Sequence, residues 1–382
     1  FFMFSFTRED TTGLAKWWRN IDKQILFSII FLFLLGLLFS FSSTSQIVGE
    51  KLNKETYFLF IKHFVFVIIS IILLLGISFQ NEKKIEKFFT PFFLLAFLFL
   101  LLVPFFGVEV KGSKRWLDLF FLPRFQPVEI IKPLFILLVA KIIVSEKNYN
   151  TNLKYLFSLL ILFLIVFLLI SQPDIGQSLL VISSWTIMIF VSGINIMFVL
   201  AIGILSFVVI GLVIYIFPSK FGYIPSRLLT FFDSSKGDNF QSQKALEAIK
   251  QGGLTGRGLG EGILKDKVPE AHTDYIIAVI SEEFGVLFVV FIVFLFLFIA
   301  YKVFNKVFSE KKEFTKLSLV GLISLLIMQT LIHIGVNAKL LPTTGMTLPF
   351  LSYGGSSMIG SSIVAGIILN FTKTVPKGYD DE

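Results

Sequence analysis

Cysteine is absent from the chain, which excludes a disulfide framework and any thiolate metal site. Histidine is nearly absent, and His63, His272 and His333 stand too far apart in sequence to suggest a metal cluster. Charge is scarce as well. Only 16% of residues are charged, where a soluble domain carries about 25%. What is present is apolar: 55% of the 382 residues are hydrophobic and the mean hydropathy is +0.83. A soluble class is thereby set aside, and the apolar runs read as one membrane domain over 1–382. The net charge of +8 calls for no nucleic-acid partner, because Lys and Arg flank membrane spans and set their orientation. No cleavable signal peptide is expected, since the first apolar stretch is long and lacks a small-residue cleavage site. No internal repeat is evident, which weighs against an inverted-repeat transporter.

A helix needs ~20 apolar residues to cross the hydrocarbon core. Ten stretches qualify: 25–42, 58–79, 88–106, 128–145, 153–170, 176–191, 194–217, 276–301, 315–336 and 350–371. The fold class expected is therefore all-α, a polytopic membrane protein of ten transmembrane helices, with a long loop at 218–275 between helices 7 and 8. With both termini inside, the inner segments hold 17 Lys and Arg and the short outer loops 7. That bias puts the termini in the cytoplasm. It puts 107–127, 218–275 and 337–349 outside, and these segments concentrate Gly, Pro, Trp and charge.

Within the long loop, Gln243–Ile249 reads as a short amphipathic helix. Gly252–Gly262 follows, with glycine at 252, 253, 256, 258, 260 and 262. Bare amides in such a run can cradle an anion such as pyrophosphate; the simpler alternative is a flexible loop. No Gly-Lys-Ser/Thr follows, so it is not a Walker A loop. Next come His272-Thr273-Asp274, directly before an apolar run. Asp274 or Thr273 could cap the coming helix, and Asp274 could equally serve as a general base at the outer surface. Glu282 falls roughly 12 Å further along, at ~1.5 Å per residue. Glu129, Lys132, Glu282 and Glu283 all fall inside predicted spans, where ionisable side chains are costly unless paired. Lys132 is expected to pair with Glu282 or Glu283, either as a structural tie or as part of a polar path. Lys114, Arg115 and Trp116 fit an interfacial anchor or a phosphate contact. The prolines and glycines of 341–357, among them Pro342, Gly345, Pro349, Gly354 and Gly355, predict a broken or re-entrant segment.

Taken together, several motifs resemble the SEDS family of shape, elongation, division and sporulation proteins. They are Gly112–Trp116, Gln126–Lys132, Gln172–Gly176, Gly252–Gly262, Glu270–Asp274 with Pro269 before them, Glu282–Gly285 and Leu351–Ser357. Each is weak alone. Their order on ten spans, over nearly the whole chain, is specific. The segment Leu341–Pro349 is more similar to the division branch, FtsW, than to the elongation branch, RodA. Val128 departs from the pattern, which has Ser there. The resemblance implies a peptidoglycan glycosyltransferase of the bacterial inner membrane that polymerises lipid II on the periplasmic face. The implied partners are a class B penicillin-binding transpeptidase and other membrane proteins of the divisome. It implies Asp274 as the catalytic residue. Substrate contacts fall to Lys114, Arg115, Trp116, Arg257, His272, Thr273, Ser352, Gly354, Gly355 and Ser356.

The chemistry fits a small kit. An α-linked pyrophosphate donor and a β-linked product require one inverting displacement, hence one base for the acceptor hydroxyl. Pyrophosphate is already a good leaving group, but its developing charge needs cations. Lys114, Arg115, Arg257 or a divalent cation, Mg or Mn, are the candidates. A lipid II flippase is the rival function. A bare scaffold is disfavoured, because scaffolding does not call for buried charge.

Overall fold

The computed structural model describes residues 12–43, 57–110, 112–118, 123–145, 151–194, 214–233, 240–268 and 270–374, with scattered positions between 197 and 212. Helices dominate. In chain order they are α1 (Gly13–Asn20), α2 (Lys23–Ser43), α3 (Phe58–Phe79), α4 (Glu82–Phe106), α5 (Pro127–Val144), α6 (Thr151–Ser171), α7 (Ile175–Val191), α8 (Pro218–Phe221), α9 (Tyr223–Phe232), α10 (Phe240–Gly252), α11 (Leu264–Lys267), α12 (Ile276–Phe284), α13 (Val286–Ser309), α14 (Glu313–Asn337) and α15 (Gly355–Phe371). Among the described residues, α2, α3, α4, α6, α13 and α14 are long and apolar enough to cross a membrane, and α7 and α15 are shorter apolar helices. The chain is an all-α membrane protein. α5 matches the fourth predicted span but carries Glu129, Lys132 and Lys141, and most of its length is buried among other helices. The seventh predicted span, 194–217, falls largely outside the described residues.

Helix starts follow local chemistry. Asp22 Oδ1 accepts from the Gln24 and Ile25 amides at the head of α2. Asn81 does the same for Lys83 in α4, and Asp174 caps α7 through the Gln177 amide. These caps fill amides that the first helical turn leaves without partners. Close helix approach needs small residues. A Cβ on Gly321 of α14 would stand 2.5 Å from both Ile136 of α5 and Met188 of α7. Such contacts let backbones meet where lipid supplies no hydrophobic drive between helices.

The predicted span 276–301 is not one helix. It breaks at Gly285, whose φ is +82° and whose missing Cβ would collide with the Leu254 carbonyl. α12 is a buried half-helix, and the crossing segment is α13. A small antiparallel hairpin, unforeseen from sequence, joins α4 to α5: β1 (Val108–Val110) pairs with β2 (Ser113–Trp116). A further bridge links Leu117 and Phe125.

Two ends of the bundle differ in character. At one, Lys302 pairs with Asp22 (3.2 Å), Lys312 with Glu82 (3.2 Å), and the Thr374 amide bonds the Asn20 carbonyl (2.9 Å). The other gathers the hairpin, Asp174, the glycine-rich segment and the irregular stretch 338–354.

Candidate active site

Asp274 lies in a turn, one residue before the N-cap of α12. That N-cap is Tyr275, with no side-chain capping bond of its own, so the N-cap position falls on neither Asp274 nor Thr273, the two that the sequence allowed. Asn337, the buried last residue of α14, serves this helix start from outside. Its Oδ1 accepts from the Ala278 amide (3.1 Å), and its Nδ2 donates to the carbonyls of Asp274 (3.0 Å) and His333 (2.8 Å).

The two preceding carbonyls are held as well. The Ser352 hydroxyl donates to Thr273 O (2.7 Å) and accepts from the Leu348 amide (2.8 Å). The Tyr353 amide donates to His272 O (3.1 Å). Three successive carbonyls, 272 to 274, are thus fixed by residues 337 to 353. The stretch 338–354 is itself satisfied from α14: Gln329 donates to Thr347 O (2.9 Å) and His333 Nδ1 bonds Met346 O (2.7 Å). Irregular backbone survives at membrane depth only where protein supplies such bonds. Gln329, His333 and Asn337 are spaced by four, so they share one face of α14.

The Asp274 carboxylate is half-buried and faces a gap. A Cβ on Gly345 would stand 3.4 Å from Asp274 Oδ2 and 3.9 Å from Arg115 Nη1. Gly345 has φ +65°, a conformation that glycine adopts without steric cost. Any side chain there would enter the space between carboxylate and guanidinium. Arg115 reaches the gap from β2. It is held by the carbonyls of Gln172 (3.1 Å) and Pro173, and its Nε is 3.9 Å from Asp174 Oδ2. Gln126 Nε2 donates to Asp174 Oδ2 (3.0 Å), and the Gln126 amide donates to Ser356 Oγ (3.0 Å). Burial pushes the Asp174 carboxyl above its ordinary range, against the opposing pull of Arg115.

The remaining nominees divide into three groups. Lys114 is exposed on β2, and Trp116 pairs with Val108 in the hairpin. Gly354 lies beside Thr347 (3.5 Å to a Cβ), while Gly355 is a packing glycine whose Cβ would stand 2.5 Å from the Phe66 ring. His272 and Tyr353 meet edge to face at 5.3 Å, and Tyr353 meets buried His63 at 5.6 Å, a contact the sequence did not suggest.

The buried charges pair differently from expectation. Lys132 bonds Glu129 on its own helix (2.8 Å), not Glu282 or Glu283. Glu282 accepts from the Ile263 and Leu264 amides (both 3.0 Å) and lies 3.7 Å from Arg257. Glu283 accepts from the Ser42 hydroxyl. The glycine-rich segment packs on the same turn: the amides of Arg257 and Gly258 donate to the carbonyls of Glu282 (2.9 Å) and Glu283 (3.0 Å). A Cβ on Gly252 or Gly256 would collide with that backbone. Gly252 and Gly256 thus serve close packing, and this part of the segment is tied to the turn at Glu282 and Glu283. Among the described residues no group of three or more His, Cys, Asp and Glu side chains converges to hold a metal ion.

Residues 23–376 match the profile of the FtsW/RodA/SpoVE family, described as "Cell cycle protein". The chain belongs to this family. It is 32% identical over 376 residues to the probable peptidoglycan glycosyltransferase FtsW of Caulobacter vibrioides, covering 98% of this chain and 95% of that protein. The protein of the same name from Francisella salina is 34% identical over 358 residues, covering 92% and 88%. The fold is similar to a chain solved for "Structural coordination of polymerization and crosslinking by a peptidoglycan synthase complex", with a TM-score of 0.73 at 24% identity, covering 92% of this chain and 97% of that one. It is likewise similar to the rod shape determining protein RodA of Thermus thermophilus, with a TM-score of 0.68 at 24% identity, covering 93% and 97%.

Proposed function

We propose that this FtsW/RodA/SpoVE-family chain is a peptidoglycan glycosyltransferase that polymerises lipid II for septal wall synthesis, with Asp274 as the general base. The observation carrying this reading is the fixing of carbonyls 272 to 274, which holds one carboxylate facing Arg115 across Gly345. In the reaction, the acceptor hydroxyl attacks the anomeric carbon of the donor sugar. The bond to pyrophosphate breaks, its electron pair stays on the leaving oxygen, and Asp274 takes the hydroxyl proton. Rigid placement of a base is where such a site gains rate. The naming of relatives as probable peptidoglycan glycosyltransferases supports the reading, and the likeness to a chain of a synthase complex supports a transpeptidase of the penicillin-binding class as partner; other divisome membrane proteins are further proposed partners. The flippase reading relied on Lys132, Glu282 and Glu283 lining a polar path. Each of these has a structural partner instead, which favours the enzyme. Purified protein in liposomes with its transpeptidase and labelled lipid II should yield glycan chains. Movement of lipid II across the bilayer without polymer would reverse the choice.

The proposed topology has ten spans, cytoplasmic termini, and the loop 218–275 with the Asp274 end of the bundle outside. The absence of cysteine makes a clean labelling test available. Glu261→Cys, on an exposed residue of that end, should react with an impermeant maleimide from outside intact cells. Ser309→Cys, exposed near the opposite end, should react only after the membrane is opened. The reverse pattern would place the base in the wrong compartment.

A further inference from the structure

Two of the cations first nominated for the pyrophosphate are engaged elsewhere, and the third, Lys114, is exposed on β2. Arg115 is held by two carbonyls and Asp174, and Arg257 lies against Glu282. A different pair of cations lines an open cleft of about 230 Å³ between α9 and the chain at 339–343. Arg227 and Lys339 are its charges; Ser226, Thr230, Ser242 and Thr343 add hydroxyls, and among the described residues no acidic side chain lines it. One Arg227 donor goes to Thr343 O (3.3 Å). Two residues beyond Thr343 is Gly345, beside the Asp274 carboxylate. Burial and the neighbouring Arg115 lower the Arg227 pKa, while Tyr223 and Asp174 pull it back up. Arg227 and Lys339 together give the lining of the cleft a net positive charge, which favours an anionic occupant.

The shape of α9 narrows the class of anion. Ser226, Arg227 and Thr230 face the cleft, while Leu228, Leu229 and Phe232 are 45%, 54% and 82% exposed. An amphipathic helix of this kind, in a membrane protein, lies in the interface with its apolar face in the acyl region. The occupant thus meets a phosphate-binding wall and hydrocarbon at once. The cleft is below the ~300–1,000 Å³ of ordinary drug-sized pockets, so it suits a diphosphate and leaves a glycopeptide headgroup outside it, toward Asp274.

We propose that this cleft holds the pyrophosphate of a polyprenyl-linked donor, with Arg227 and Lys339 as its two cations. The proposal rests on the glycosyltransferase reading for its substrate class. It assigns these residues a binding and positioning role, setting the anomeric carbon against the acceptor and Asp274. Lys339 has φ +57° just past the end of α14, where glycine is usual. A lysine kept in that conformation is in keeping with a role for its side chain.

That backbone supplies a useful variant, because Lys339→Gly removes the ammonium while relieving the turn. The test titrates radiolabelled farnesyl pyrophosphate into full-length protein in neutral detergent micelles. All variants carry Asp274→Asn, so that binding is read apart from turnover. Arg227→Gln and Lys339→Gly should each weaken binding about tenfold or more, the range for a lost bond to a charged group. Lys339→Arg should retain it, and Lys339→Gly should melt no lower than its parent. Inorganic pyrophosphate should compete, and phosphatidylglycerol should compete no better than phosphatidylcholine. Undiminished binding in Arg227→Gln and Lys339→Gly would overturn the site. Displacement by phosphatidylglycerol at matched concentration would overturn its assignment to a pyrophosphate. Normal binding in the Asp274→Asn parent, together with no polymer from the wild-type protein and its transpeptidase, would instead count against the glycosyltransferase reading, with the site intact.

Discussion

Lys132→Met should lower the stability of the helical bundle by ~3–5 kcal/mol, and Lys132→Met combined with Glu129→Gln should recover most of that loss. Both side chains are almost fully buried, at 4% and 3% exposure, and their 2.8 Å contact lies within one helix. Removing the ammonium alone leaves a carboxylate in a low-dielectric interior, with Gln177 Nε2 (2.7 Å) as its remaining side-chain donor among the described residues. Neutralising both residues removes that uncompensated charge and leaves an amide that Gln177 can still meet. Lys132 also donates to Gln329 Oε1 (3.4 Å), whose other end holds the Thr347 carbonyl. Some loss of activity should therefore persist in the double variant through the 338–354 stretch. Thermal unfolding in one detergent, for the wild type, both single variants and the double, measures the coupling. A double variant no more stable than Lys132→Met would mean that the pair is not the unit of stability.

The long apolar helices were legible because composition decides them: a run of ~20 apolar residues has few other uses. α3 falls on its predicted limits, and α2, α5, α6, α7 and α14 fall within two residues of theirs. The break at Gly285 was not legible, since one glycine in an apolar run is compatible with a continuing helix. Its cause is the Leu254 carbonyl, 31 residues away in sequence. The partner of Lys132 was within reach, because Glu129 stands at the i,i+3 spacing that pairs on a helix surface; looking only for a distant carboxylate hid the local one. The face formed by Gln329, His333 and Asn337 was likewise open to a reader of period 3.6, since three polar residues on one side of a span need polar partners. Those partners, Thr347 O, Met346 O and the carbonyl of Asp274, belong to the fold. The motif around Asp274 located the carboxylate. Its gap facing Arg115 depends on a hairpin and a glycine from two other segments, and local pattern does not carry such distances. The Arg227–Lys339 cleft is of the same kind, assembled from a short helix and a loop that no spacing rule connects.

Asp274→Asn should cost ~10²–10⁴-fold in the rate of glycan polymerisation, the usual contribution of a positioned base, with little change in melting temperature. The substitution is nearly isosteric. The backbone of residue 274 is held through its carbonyl by Asn337, and Asn337 also accepts from the Ala278 amide at the head of α12; both ties survive the substitution, so the loss should be chemical. An amide cannot accept the acceptor hydroxyl's proton at neutral pH. The most direct measurement is polymer length and yield from labelled lipid II, taken alongside thermal unfolding on the same preparations of wild type and Asp274→Asn with the transpeptidase partner. The account predicts a folded, wild-type-like melt and polymer reduced at least about a hundredfold; a well-folded Asp274→Asn protein that polymerises lipid II at the wild-type rate would contradict it.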